Sequence, residues 1–185
     1  MRSFDHMLVY HCAPTLAGLK PASLIRCCLH LFPDAPKRID AYNCALNQTG
    51  LYIAILDENI DSLLLLVYRH HALDTYLRQP EHAHLLYQCG YAPQANMSRW
   101  LDTLRIRWQS DAIPHEIGLF LGYPLADVQG YQCHRGHNCL LCGYWKVYAN
   151  PESAQQTFAL YDLCRDALCQ RVVAGESIVA LCNIA

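Results

Sequence analysis

LYIAILDENIDSLLLLVY, residues 51–68, decides the fold class. Leu51 to Leu56 is an apolar run of strand length rich in residues that suit a pleated, half-buried surface. Asp57-Glu58-Asn59-Ile60-Asp61 is a polar turn. Ser62 to Tyr68 is a second apolar run, and Arg69-His70-His71 closes it. Two such runs joined by a short polar turn read as a β-hairpin.

The flanks of the hairpin read as helix. Asp40 to Asn47 is a helix that ends near Gly50, and Ala72 to Arg78 is a short one closed by Pro80. Pro80 opens the next, through Leu85 and Leu86 to Cys89, with Gly90 as its C′ residue. Ser98 caps another, whose Trp100, Leu101, Leu104 and Trp108 share one face at helical spacing. Pro151 opens a long helix with an apolar stripe from Ala154 to Val172, ended by Gly175, and Ser177 to Cys182 is a short tail helix or strand. Upstream, Met7 to Tyr10 fits a strand or a helix start and is broken at Pro14. Pro21 then suits the first turn of a helix running through Cys27, Cys28 and Leu31. The sum is an α+β fold: one domain spanning residues 1–185, with a small mixed or antiparallel sheet of about 3–4 strands packed by about 6–7 helices.

Composition narrows the function. The chain has 185 residues, 53% of them hydrophobic and 16% charged, with a formal net charge of −2. A near-neutral balance argues against general nucleic-acid binding, which needs a basic face. The apolar run at Leu63 to Tyr68 falls far short of the ~20 residues of a membrane span. Arg2, Asp5 and His6 at the start leave no apolar stretch for a secretory leader. Eleven cysteines, an odd number at irregular spacings, then point to reduced thiols in a cytoplasmic protein and not to a disulfide framework.

The chemistry-bearing residues concentrate in PHEIGLFLGYPLADVQGYQCHRGHNCLLCGYWKVY, residues 114–148, and in HCAPTLAGLK, residues 11–20. These two motifs, in this order and at this distance, resemble the bacterial family of domain of unknown function 3793. The resemblance covers nearly the whole chain. It implies a small single-domain protein and assigns no catalytic residue. The loop His134-Arg135-Gly136-His137-Asn138-Cys139 is richer in histidine and cysteine than that family's usual loop, so a metal site built on it would not be a general family property.

Four site chemistries follow from the residues. Cys12 with His11 sits before a proline-containing turn; if Cys12 met His115 as base, with Glu116 orienting the imidazole, the group would suit a thiol-dependent enzyme. Lys20, Arg69 and Lys146 lie at or near the ends of apolar elements and suit a small anionic ligand, although Lys146 on an alternating strand would face solvent while Trp145 and Val147 point inward. Cys133, His134, His137, Cys139 and Cys142 offer soft-metal ligands suited to zinc or iron, without the second distant ligand pair of a structural zinc site. The segment from Glu116 to Tyr131 has a helix-turn-helix outline, yet its second helix carries no lysine or arginine for phosphates, so a packing hairpin explains it better. The leading expectation is a small-molecule-binding protein or small thiol enzyme with a site between residues 11–20 and 114–148. A metal- or cofactor-binding protein using residues 133–142 is the alternative, and a protein-interaction module the third.

Overall fold

The computed structural model describes residues 3–110 and 113–182. Its elements run α1 (Phe4–Leu16), β1 (Ala22–Cys28), α2 (Ala35–Leu46), a 3₁₀ turn (Asn47–Thr49), β2 (Leu51–Glu58), β3 (Ser62–Arg69), α3 (His70–Leu77), α4 (Pro80–Gln88) and α5 (Met97–Gln109). They continue with α6 (Ile117–Phe120), α7 (Leu125–His134), β4 (Leu141–Cys142), β5 (Lys146–Val147), α8 (Pro151–Val173) and α9 (Ile178–Cys182). The chain is α+β. Read for compactness, residues 1–73 with 163–185 form one unit and residues 74–162 a second. No helix among the described residues is long and apolar enough to cross a membrane.

The first unit is built on the expected hairpin. β2 and β3 pair antiparallel, with Ile53 opposite Val67, and a bulge between Ile55 and Asp57 re-aims the end of β2. Every residue of β3 except Arg69 is buried, as the central strand of the order β1-β3-β2 requires. Asn59 closes the turn by accepting from the backbone of Asp61 and Ser62. α1, α2 and α9 contribute Leu8, Val9, Ile39, Leu46 and Ile178 to the core over the sheet.

Two local expectations are corrected here. Residues 22–28 form a strand and not a helix: β1 pairs antiparallel with β3, Ile25 opposite Leu65. Ser23, Ile25 and Cys27 are buried while Arg26 is exposed. That period of two competes with a helical spacing of the same apolar residues, and the pairing with β3 decides it. Pro14, expected to break the chain, lies inside the last turn of α1. The proline removes one hydrogen bond to the carbonyl of Tyr10, a residue that is itself exposed.

In the second unit, α5 buries Met97, Trp100, Leu101 and Leu104. Its cap is Asn96, two residues before the expected Ser98, and the Asn96 side chain accepts from Arg99 N at 3.0 Å. The Trp100 indole donates to Ala92 O at 2.8 Å, so the tryptophan face is core.

Candidate functional site

The second unit folds residues 113–150 around the buried carboxylate of Asp127. α6 and α7 are joined by the Gly-Tyr-Pro turn, and they lie so close that a Cβ on Gly118 would stand 2.8 Å from Val128 Cγ2. α7 also runs against Tyr148, where a Cβ on Gly130 would stand 2.5 Å from the tyrosine Cβ. β4 and β5 form a two-residue ribbon, Leu141 opposite Val147 and Cys142 opposite Lys146. Asp127, on the buried side of α7 and 4% exposed, accepts from Trp145 Nε1 at 2.7 Å, Tyr148 N at 2.7 Å and Ala149 N at 3.1 Å. Three N–H donors satisfy a carboxylate that burial would otherwise penalise heavily.

A cavity of about 270 Å³ opens beside this carboxylate. Its walls are mostly apolar: Ile113, Ile117 and Val128, with the rings of Tyr123, Tyr131 and Trp145. Tyr123 and Trp145 stack with centroids 5.0 Å apart and planes 27° from parallel. Tyr131 packs against His115 at 5.3 Å. Two basic side chains reach the same walls, exposed His115 and half-buried Lys146. Lys146 Nζ donates to Gly136 O at 2.6 Å. A second cavity of about 190 Å³ is lined by Ser153, Thr157 and Tyr161 together with Trp145 and Asp127. The indole–carboxylate pair is thus a wall common to both cavities.

The expected site residues separate into those this segment gathers and those it does not. His115 and Lys146 meet at the cavity. Glu116 does not join them: it is 1% exposed and binds Arg107 through Nε and, at 3.3 Å, through a terminal nitrogen, with the Tyr91 hydroxyl donating to it at 3.2 Å. It therefore ties α5 to the start of α6 and does not orient His115. The helix-turn-helix outline is a packed pair, closed by the small residue Gly118.

The Cys/His loop is also corrected. Among the described residues no group of three or more His, Cys, Asp or Glu side chains is placed to hold a metal ion. His134 instead stacks on Tyr148 at 5.5 Å and 9°. Cys133, His137 and Cys142 are exposed, and Cys139 is half-buried. Five potential ligands in ten residues supply composition without convergence.

Residues 11–20 and Arg69 belong to the first unit and are read there. Cys12 is 0% exposed in the core, and burial pushes its thiol up to about 12, against the opposing influence of Lys20 and of a hydrogen bond with Ser23. A nucleophilic cysteine needs the opposite shift, so Cys12 does not have the environment of a thiol catalyst. His11 is exposed on α1, its ring 5.0 Å from that of Tyr10. Arg69 spends its guanidinium on the end of α1, where Nε donates to Thr15 O at 2.8 Å and a terminal nitrogen to Leu16 O. Thr15 O also accepts from Gly18 N at 3.1 Å, and the guanidinium adds donors to the last-turn carbonyls, which lack partners within the helix. Lys20 is 8% exposed, and its amine is lowered to about 8, first by desolvation.

Asp127 and the aromatic walls went unrecognised in the sequence. The one available signal is an acidic residue at a position of α7 that faces inward with Val128, and nothing in the spacing links it to an indole 18 residues downstream.

Fold and site together define an α+β protein whose second unit holds a small, mostly apolar cavity with basic side chains in its wall. The chain belongs to the family described as protein of unknown function DUF3793, whose model matches residues 8–182. No curated protein and no solved structure matches it.

Proposed function

We propose that the chain is a small-molecule-binding protein, that its site is the cavity of the second unit, and that the ligand is apolar with one anionic group. The observation that carries this is Lys146. This half-buried residue lines the wall of an apolar cavity. Among the described residues its one hydrogen bond is to the carbonyl of Gly136, and no carboxylate pairs with it. An ammonium has three donors, so two remain for an oxyanion. The oxygens of Asp127 are already taken up by Trp145, Tyr148 and Ala149. The charge open to a ligand is therefore positive, with His115 as a second donor on the same wall. A few placed polar groups in an apolar concavity are the general form of a small-molecule site.

Benzoate and its neutral isostere benzamide test the reading, with binding followed by protein NMR on the full chain. Benzoate is expected to bind and to shift resonances of Trp145, Lys146 and His115. Benzamide and the Lys146→Met variant are each expected to weaken binding by about tenfold or more, the worth of a charge-assisted hydrogen bond. No benzoate binding at millimolar concentration, or equal affinity for the two compounds, would overturn it.

A further inference from the structure

We infer that the second cavity, of about 190 Å³, is a separate binding site for a neutral, polyhydroxylated small molecule such as a cyclic polyol or a monosaccharide, held by a row of hydroxyls on α8. The inference does not depend on the site proposed above. Ser153, Thr157 and Tyr161 line this cavity, and their four-residue spacing on α8 stacks them on one face of the helix. Trp145, Pro124 and Ala154 add apolar surface for the ligand's C–H groups. The volume is several times the roughly 30 Å³ that one water takes up in the liquid, so the space exceeds that of a single bridging water.

Tyr161 carries the inference. It is 7% exposed, and Tyr144 meets its ring edge-to-face with centroids 5.2 Å apart. Among the described residues its hydroxyl makes no hydrogen bond. A buried phenol normally finds a partner, and the space this one lines is the cavity. Thr157 Oγ1 donates to Ser153 O at 2.9 Å, so it has lone pairs to offer a ligand but no proton. The exposed Ser153 hydroxyl adds a second donor. The row thus presents two donors with an acceptor-only group between them. Neighbouring hydroxyls on a ligand both donate and accept, and can meet all three. A ligand with only carbonyl or ether oxygens would leave Thr157 unmet.

Charge narrows the class further. Among the described residues no lysine, arginine or histidine lines this cavity. Asp127 lies in its wall and Glu152 in the first turn of α8, so an anion would find two carboxylates nearby and no basic partner. A cation would need the oxygens of Asp127, which are committed to Trp145, Tyr148 and Ala149. A neutral ligand remains.

Protein NMR on the full chain, titrated with myo-inositol and with D-glucose, tests the site. At least one of the two is expected to shift resonances of Thr157, Tyr161 and the Trp145 indole N–H. Cyclohexanol, with a single hydroxyl, is expected to bind at least about tenfold more weakly. Tyr161→Phe removes the open hydroxyl, and Thr157→Val removes the acceptor with little change of shape. Each is expected to weaken polyol binding by about two- to tenfold, the range for one neutral hydrogen bond, and either variant alone carries the test if the other misfolds. No shift at these residues with either polyol at high millimolar concentration would overturn the site. Binding unchanged in both variants, or cyclohexanol bound as tightly as the polyols, would overturn the hydroxyl row as its basis.

Discussion

Replacing Lys20 with methionine measures what the first unit spends on burying an ammonium. Lys20 follows the turn after α1, is 8% exposed, and its amine is lowered from 10.5 to about 8 by desolvation, with Cys12 opposing. The folded chain therefore binds fewer protons than the unfolded chain between about pH 8 and pH 10.5. Stability rises with pH across that window, and below it the cost of the charge is fully present. Linkage with those two values puts the cost at roughly 3 kcal/mol at pH 7 and roughly 2 kcal/mol at pH 9. Lys20→Met keeps the stem and removes the charge, so its stability relative to wild type should decline by about 1 kcal/mol from pH 7 to pH 9. Cys12 sets the upper limit of the range: its thiol, raised from 9.0 to about 12, makes stability fall as pH climbs above 9 in both proteins. Trp100, Trp108 and Trp145 all lie in residues 74–162, so indole fluorescence reports the second unit. Urea titration followed by far-UV circular dichroism, with hydrogen exchange at the β1 and β3 amides, reports the first. A wild-type-to-variant difference that stays constant from pH 7 to pH 9 would refute the desolvated ammonium.

Two further outcomes are expected. Gly130→Ala gains helix propensity on α7 but places a methyl 2.5 Å from Tyr148 Cβ; overpacking of about 1–3 kcal/mol should outweigh a helical gain of about 1 kcal/mol, so the variant loses stability by urea titration, and a variant as stable as wild type would contradict the close approach of α7 to Tyr148. Alkylation of the folded protein with iodoacetamide, read by peptide mass spectrometry, should label exposed Cys44, Cys133 and Cys142 and spare buried Cys12, Cys27 and Cys182, whose thiols burial pushes upward; early labelling of Cys12 would contradict its place in the core.

The parts of the fold legible in the sequence are those that local pattern determines. The hairpin declares itself through two apolar runs around a turn whose Asn59 holds its own backbone. The helices opened by Pro80 and Pro151 begin at those residues. β1 was not legible, because Leu24, Ile25, Cys27 and Cys28 satisfy both periods, and the partner that decides between them, β3, is some forty residues away. Among site residues, Lys146 stood out as a cation in an apolar strand. The alternation that would send it to solvent is correct for Val147, which is buried, but the outward side at Lys146 is the cavity wall. His115 and Glu116 lie in the turn before α6 and diverge there; one reaches the cavity and the other Arg107. The loop 133–142 shows the limit from the other direction, since ligand types can be counted in a sequence but their convergence depends on backbone that spacing does not specify.

The buried carboxylate explains why residues 114–148 hold together at all. A two-residue ribbon such as β4–β5 has too few ladder bonds to be stable alone, and it packs beside a helix with little apolar surface to spare. Asp127 supplies what the ribbon lacks. It takes the backbone N–H groups of Tyr148 and Ala149 just past the end of β5, where the strand would otherwise leave them unpaired. The same side chain takes the indole N–H on the other side of Lys146 and Val147. One carboxylate thus brackets β5 and fixes its register against α7. An apolar residue at 127 could fill the volume but could not meet three donors at once. With β5 fixed, Lys146 and Trp145 are both held in the cavity wall, so the wall's charge and its aromatic lining both depend on the same three hydrogen bonds.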